Sequence, residues 1–276
     1  MTDRTVRTLV AGRGLVEAPR WHDGRLHFSD WSAGEVLTLT PEGGTQVIAR
    51  ADAFPLCTDR LPDGRLLLVA GTQLLVQAAD GLAPEPYADL APAGDQVWND
   101  IVVDRRGNAY VNGGGGFEGG DNAVALVTPD GVVRQVAQEL AFPNGMAVTP
   151  DGGTLLVADS YAQEIVAFGI APDGGLSGRR TWAAVPEHPD GICLDAEGAV
   201  WFADVGTSRC VRVAEGGRLL DEVPLDRGCF ACVLGGPDRT TLYITAAEWL
   251  GWEEGVTAGS GILAAVDVGV SGAGYP

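Results

Sequence analysis

Apolar positions in this chain come in short runs such as RLLLVAG and TLLVADS, or alternate with polar ones over similarly short stretches. Runs this short, rich in Val and Leu and bounded by turn residues, predict strands, and no segment predicts a long helix. Six segments share one shape: a polar or mixed start, an apolar strand, a tight turn and a second β-rich strand. They are EAPRWHDGRLHFSDW (17–31), LCTDRLPDGRLLLVAGT (56–72), NDIVVDRRGNAYVNG (99–113), NGMAVTPDGGTLLVADS (144–160), DGICLDAEGAVWFADVG (190–206) and FACVLGGPDRTTLYITAA (230–247). The turn landmarks Gly24, Gly64, Gly107, Gly152, Gly198 and Asp238 recur every 40 to 46 residues. Each turn is rich in the Asp, Gly and Pro that hairpin geometry favours.

Further strand-like runs, EVLTLT, AVALVTP, EIVAFGI and CVRVAEG, lie between these segments. Four short strands per unit of this length is the pattern of a propeller blade. The predicted fold is an all-β, six-bladed β-propeller of four-stranded antiparallel blades, formed as one domain over residues 1–276. A β-sandwich would leave six equal repeats unexplained. Two strand-like segments remain over, TVRTLVAG near the start and GILAAVDV (261–268) near the end. Pairing them in the last blade would cover open sheet edges and close the ring.

Aligned on the turn, one structural position carries Glu17, Leu56, Asn99, Asn144, Asp190 and Phe230. It is the start of the innermost strand of each blade, facing the central channel. Any one of the polar residues alone would be an ordinary turn or cap residue. Four oxygen-bearing side chains converging on one axis are costly unless something satisfies them. Two carboxylates and two amides, with no His or Cys among them, suit a hard cation. Ca²⁺ is the first choice, and Zn²⁺, Mn²⁺ or Mg²⁺ are alternatives.

Composition narrows the partners. The formal net charge is −19, and every basic residue is Arg. Such a chain has no electrostatic basis for binding nucleic acid or an anionic membrane. The N-terminal residues lack the apolar core of a signal peptide, no stretch approaches a membrane span, and the five Cys are an odd number. Together these predict a cytoplasmic protein with reduced thiols; it is expected to be a monomer or weak oligomer with a small-molecule substrate. Cys229 and Cys232 form a lone Cys-x-x-Cys, expected to pack in the core. There is no Gly-x-Ser-x-Gly and no His-Glu-x-x-His, and three His leave little room for a Ser-His-Asp enzyme.

EAPRW at the first repeat, ND at 99–100, PNG at 143–145 and PDG at 189–191, in order and at blade spacing, resemble the senescence-marker-protein-30/gluconolactonase/luciferin-regenerating-enzyme family over residues 14–250. The resemblance implies a six-bladed propeller with a divalent metal, often calcium, in its channel, and commonly lactone hydrolysis. It makes Glu17, Asn144 and Asp190 metal ligands. Asn99 matches a position that ligates metal, directly or through water, or contacts substrate. Asp190 matches the catalytic carboxylate, as general base or nucleophile, with the metal polarising the carbonyl. One departure is at Val97, where the sugar-lactonase branch carries an Arg that contacts substrate hydroxyls. Val97 and Trp98 are expected to form an apolar wall suited to a less hydroxylated ring, with Asn99 and His188 as further substrate contacts.

Asp30, Asp159 and Asp204 follow the second strand in three repeats and read as strand-end hydrogen-bonding groups. Arg20 reads as structural. NGGGGFEGG (112–120) reads as a flexible loop that could cover the pocket. Competing functions are an organophosphate or aryl-ester hydrolase, a metal-independent enzyme resembling strictosidine-synthase-like propellers, and a non-enzymatic binding propeller with a structural ion.

Overall fold

The computed structural model describes residues 4–77, 83–114, 122–251 and 253–274. Six four-stranded antiparallel sheets form a ring. Their innermost strands are Val16–His22, Leu56–Arg60, Val97–Val103, Pro143–Val148, Ile192–Leu194 and Gly228–Gly235, in blades 1 to 6. Each lies beside the next, and the sixth beside the first. The six-bladed propeller predicted from the repeats is therefore the observed architecture. The helical content among the described residues is one 3₁₀ turn, Ala91–Ala93.

The turn glycines explain why the repeat is visible. Gly24, Gly64, Gly107, Gly152 and Gly198 all sit at φ between +71° and +87°, where an L side chain is strained and glycine is not. The sixth turn is built differently, with Gly236 at +88° and Arg239 at +59°, so its landmark Asp238 is a neighbour of the strained positions.

The inner strands are buried on both faces. Between blades 4 and 5, for example, Ala147, Leu156 and Ala158 pack against Ile192, Val200 and Phe202. Blade 6 takes three strands from the C-terminal part of the chain and its outermost from Arg7–Arg13, which pairs with Gly261–Asp267 in the register Arg7↔Ala265 to Arg13↔Gly261. Blade 6 also carries a small hairpin, Trp249–Gly251 with Gly255–Val256, that the repeat pattern does not predict. Of the predicted loop 112–120, Asn112–Gly114 end a strand, and residues 115–120 lie outside the described residues. No described helix is long and apolar enough to cross a membrane.

Candidate functional site

The channel-facing positions owe their geometry to irregular starts of the inner strands. Pairing is shifted between Glu17 and Arg20, between Trp98 and Asp100, between Pro143 and Met146, and between Cys229 and Ala231. Asn99, Asn144 and Phe230 therefore sit in bulges, which bend a strand and re-aim its side chains. Blade 2 is regular from Leu56 onward, and it contributes an apolar residue. In blade 1 the distortion puts Ala18 at φ +48°, and its N–H donates to Glu17 Oε2 at 2.6 Å.

A single cavity is lined by Glu17, Asn99 and Asn144, with Arg20, Trp31 and Asp100 around them. Asn99 Nδ2 donates to Asn144 Oδ1 at 3.0 Å. Asn144 Nδ2 points the other way, to Ser160 Oγ at 3.5 Å, and Ser160 Oγ donates to the Pro189 carbonyl at 2.6 Å. Ser160 thus holds the Asn144 amide with its oxygen toward the channel. Asp190 borders the cavity through Gly191 and Ile192, and its carbonyl accepts the Gly145 N–H at 3.2 Å. A Cβ on Gly145 would lie 2.5 Å from the Ile192 nitrogen, and one on Gly191 would lie 2.3 Å from the Ala231 Cβ. Both glycines let neighbouring strands converge on the axis.

Charge is unbalanced here. Arg20, among the described residues the one cation lining the cavity, is committed to Asp100: its Nη2 donates to Asp100 Oδ1 at 2.8 Å and to the Ile101 carbonyl at 2.7 Å. Asp100 also accepts the Met146 N–H at 3.0 Å. Arg20 lowers Glu17 by less than Asp100 raises it, and the charges acting on Asp190 are carboxylates. Burial pushes the Glu17 carboxyl up to about 8, against the Ala18 hydrogen bond, and Asp100 adds to the rise. Burial, then the charges of Glu17, Asp100 and Asp204, holds Asp190 well above the usual carboxylate range. A doubly charged cation would remove that penalty, and inward-facing oxygen donors suit a hard one. Among the described residues no group of three or more His, Cys, Asp or Glu is placed to hold a metal ion. The set here combines two carboxylates with two amides.

Other predicted residues fall elsewhere. Trp98 is 1% exposed and packs with Cys57, Leu67 and Ile101 in the core between blades 2 and 3. Its expected place in a substrate wall is thereby corrected: neighbours along a strand point to opposite faces, and Val97, 58% exposed, takes the outward one. His188 is exposed, edge-on to Tyr161 with ring centres 6.1 Å apart, and is not among the side chains that line the cavity.

Asp30, Asp159 and Asp204 do bond locally. Asp159, for example, accepts the Phe142 N–H at 2.7 Å. Cys193, Cys210, Cys229 and Cys232 are free, buried and part of one apolar cluster, and Cys232 also reaches the cavity. Sequence reasoning missed Asp100, Asn112 and Ser160. Asn112 accepts the Asp100 N–H at 3.3 Å and donates to the Asn144 carbonyl. The adjacency of Asp100 to Asn99 was the available signal.

Fold and site together define a six-bladed propeller with an oxygen-lined, acidic cavity at its axis. The chain belongs to the SMP-30/gluconolactonase/LRE-like family, whose sequence model matches residues 15–248. It is 26% identical to the pentonolactonase XacC of Haloferax volcanii, across 94% of this chain and 92% of that protein. Among solved structures it superposes on a luciferin-regenerating enzyme with a TM-score of 0.84 at 21% identity, covering 98% of this chain and 97% of the other. It superposes on a gluconolactonase of Xanthomonas campestris with a TM-score of 0.79 at 25% identity, covering 96% and 90%.

Proposed function

We propose that this protein is a metal-dependent hydrolase that opens a lactone ring, with Glu17, Asn99, Asn144 and Asp190 holding one divalent cation, Ca²⁺ by preference. The observation that carries the reading is a buried carboxylate, Glu17, and a half-buried one, Asp190, on which negative charge outweighs the one nearby cation, beside two channel-facing amides. Lactonase relatives of similar length support the reaction class.

A bound cation at this position would supply Lewis-acid polarisation of the substrate carbonyl. Asp190 takes the proton of the attacking water, or attacks the carbonyl carbon itself. Its raised proton affinity is what a nearby positive charge would reverse. Asn99 orients the substrate carbonyl, Ser160 fixes Asn144, and Arg20 with Asp100 braces the channel wall between blades 1 and 3.

The test is a pH-indicator assay on chelator-stripped protein, repeated with Ca²⁺, Mg²⁺, Mn²⁺ and Zn²⁺ against lactones, aryl esters and a fluorophosphate. Metal-restored lactone hydrolysis is expected, and Asp190→Asn should lower it by about 10²-fold or more while leaving the melting curve cooperative. If metal raises the melting temperature but no substrate is turned over, the ion is structural and the hydrolase assignment fails.

A further inference from the structure

Two residues ahead of each channel-facing position lies a second ring of side chains: Leu15, Phe54, Val97, Phe142, His188 and Gly228. Where the lower ring carries four oxygen donors, this upper one carries no carboxylate, guanidinium, amide or hydroxyl. Phe54, Val97 and His188 are open to solvent, Phe142 is half-buried, and Leu15 and Gly228 are buried. Phe54 is 67% exposed and Val97 58%. Phe54 stands edge-on to Trp31 with ring centres 5.4 Å apart, and Trp31 lines the cavity below. Across the channel mouth Phe142 packs on Tyr161 at 4.7 Å, and Phe230 meets Trp249 at 5.9 Å. Phe54, Val97, Tyr161 and Leu250 are four of the seven large hydrophobic side chains left exposed among the described residues. Phe54 is joined to the cavity by Trp31, and Val97 lies two residues from the cavity-lining Asn99; exposed apolar surface beside a cavity marks a binding site.

We infer that the rim selects lactones whose ring carries an alkyl or aryl substituent, and disfavours the polyhydroxylated chains of sugar lactones. This rests on the lactone-hydrolase reading above. In the reaction the oxygen of water bonds to the carbonyl carbon and the ring acyl C–O bond breaks. The ring oxygen leaves as an alcohol with one proton of the water, giving a hydroxy acid. The carbonyl has to reach the lower ring, so the substituent on the ring meets the upper one. Hydroxyls placed against Phe54 and Val97 give up water without gaining a partner, whereas each buried methylene contributes about fourfold in binding.

The experiment measures kcat/KM on the full chain with Ca²⁺ for γ-butyrolactone, γ-hexalactone, γ-octalactone and D-glucono-δ-lactone. Efficiency should rise about fourfold per added methylene, with the gluconolactone below the alkyl series. Phe54→Ser with Val97→Ser should flatten that rise, while Leu219→Ser, an exposed apolar site on the outer strand of blade 5, should leave it unchanged. A gluconolactone hydrolysed as well as γ-octalactone, or a slope unaltered by the rim variants, overturns the rim inference alone. Failure to hydrolyse any lactone overturns the hydrolase reading, and the rim inference with it.

Discussion

The ion pair between Arg20 and Asp100 joins blade 1 to blade 3 across the inner wall, and its removal has a calculable consequence. The side chains are 6% and 11% exposed and 2.8 Å apart. Asp100→Asn keeps an oxygen to accept the Met146 N–H but removes the charge bonded to the buried guanidinium, leaving it two backbone carbonyls and the more distant Asp59. Breaking one side of such a pair costs about 3–5 kcal/mol, and at about 2–4 °C per kcal/mol the melting temperature should fall by roughly 6–20 °C. Arg20→Met should cost a similar amount, because Asp100 is then buried beside Glu17 and Asp190 with no cation. The double variant carries neither stranded charge and should lose at least about 2 kcal/mol less than the two single losses added together. Urea unfolding is the assay, run with a chelator present so that metal binding to the folded state does not enter. Additive losses, with a coupling below about 0.5 kcal/mol, would refute the claim that this pair braces the channel.

Two more perturbations test separate features. Burial, with the charges of Arg60, His22 and Arg25, lowers His27 to about 3 from 6.5, so the folded protein keeps it neutral. Its contribution is complete above pH 6.5 and is lost as pH falls toward 3. When unfolding free energies are compared at pH 7 and 5, the wild type should change by about 2 kcal/mol more unfavourably than His27→Phe; the raised Glu17 and Asp190 carboxyls act the opposite way over this window, but equally in both proteins. Gly191→Ala places a methyl 2.3 Å from the Ala231 Cβ and 2.6 Å from its Cα. The strands of blades 5 and 6 must part, at about 1–3 kcal/mol, and calcium titration calorimetry should show weakened binding. Unchanged affinity would place the ion elsewhere.

The architecture was readable because a φ-positive glycine recurs at the same turn in five repeats, and such a position tolerates little else. The channel-facing residues were readable through that same alignment. The side chains around them were not. A regular strand would send Asp100 to the face opposite Asn99 and give it no reason to meet Arg20. The shifted pairing at Asn99 is a backbone irregularity with no letter of its own. Trp98 was misread for a related reason: its neighbour Val97 is exposed, and nothing in the residue types says which of the two faces outward. Ser160, at the end of a second strand, acts through the Pro189 carbonyl, a partner that only the ring brings near.

The outermost strand of blade 6 pairs Arg7 with Ala265, so this strand finds its partner only after the five blades that lie between them in sequence have been made. During synthesis that segment must wait unpaired, and the finished sheet edge it covers is bare until it arrives. Contacts so distant along the chain slow folding and leave partly assembled rings prone to joining their neighbours. The strand is short and bears Arg7 and Arg13 at its ends, charges of the kind that keep a waiting strand from pairing with the wrong edge. Its sequence therefore answers to the ribosome as well as to the native ring.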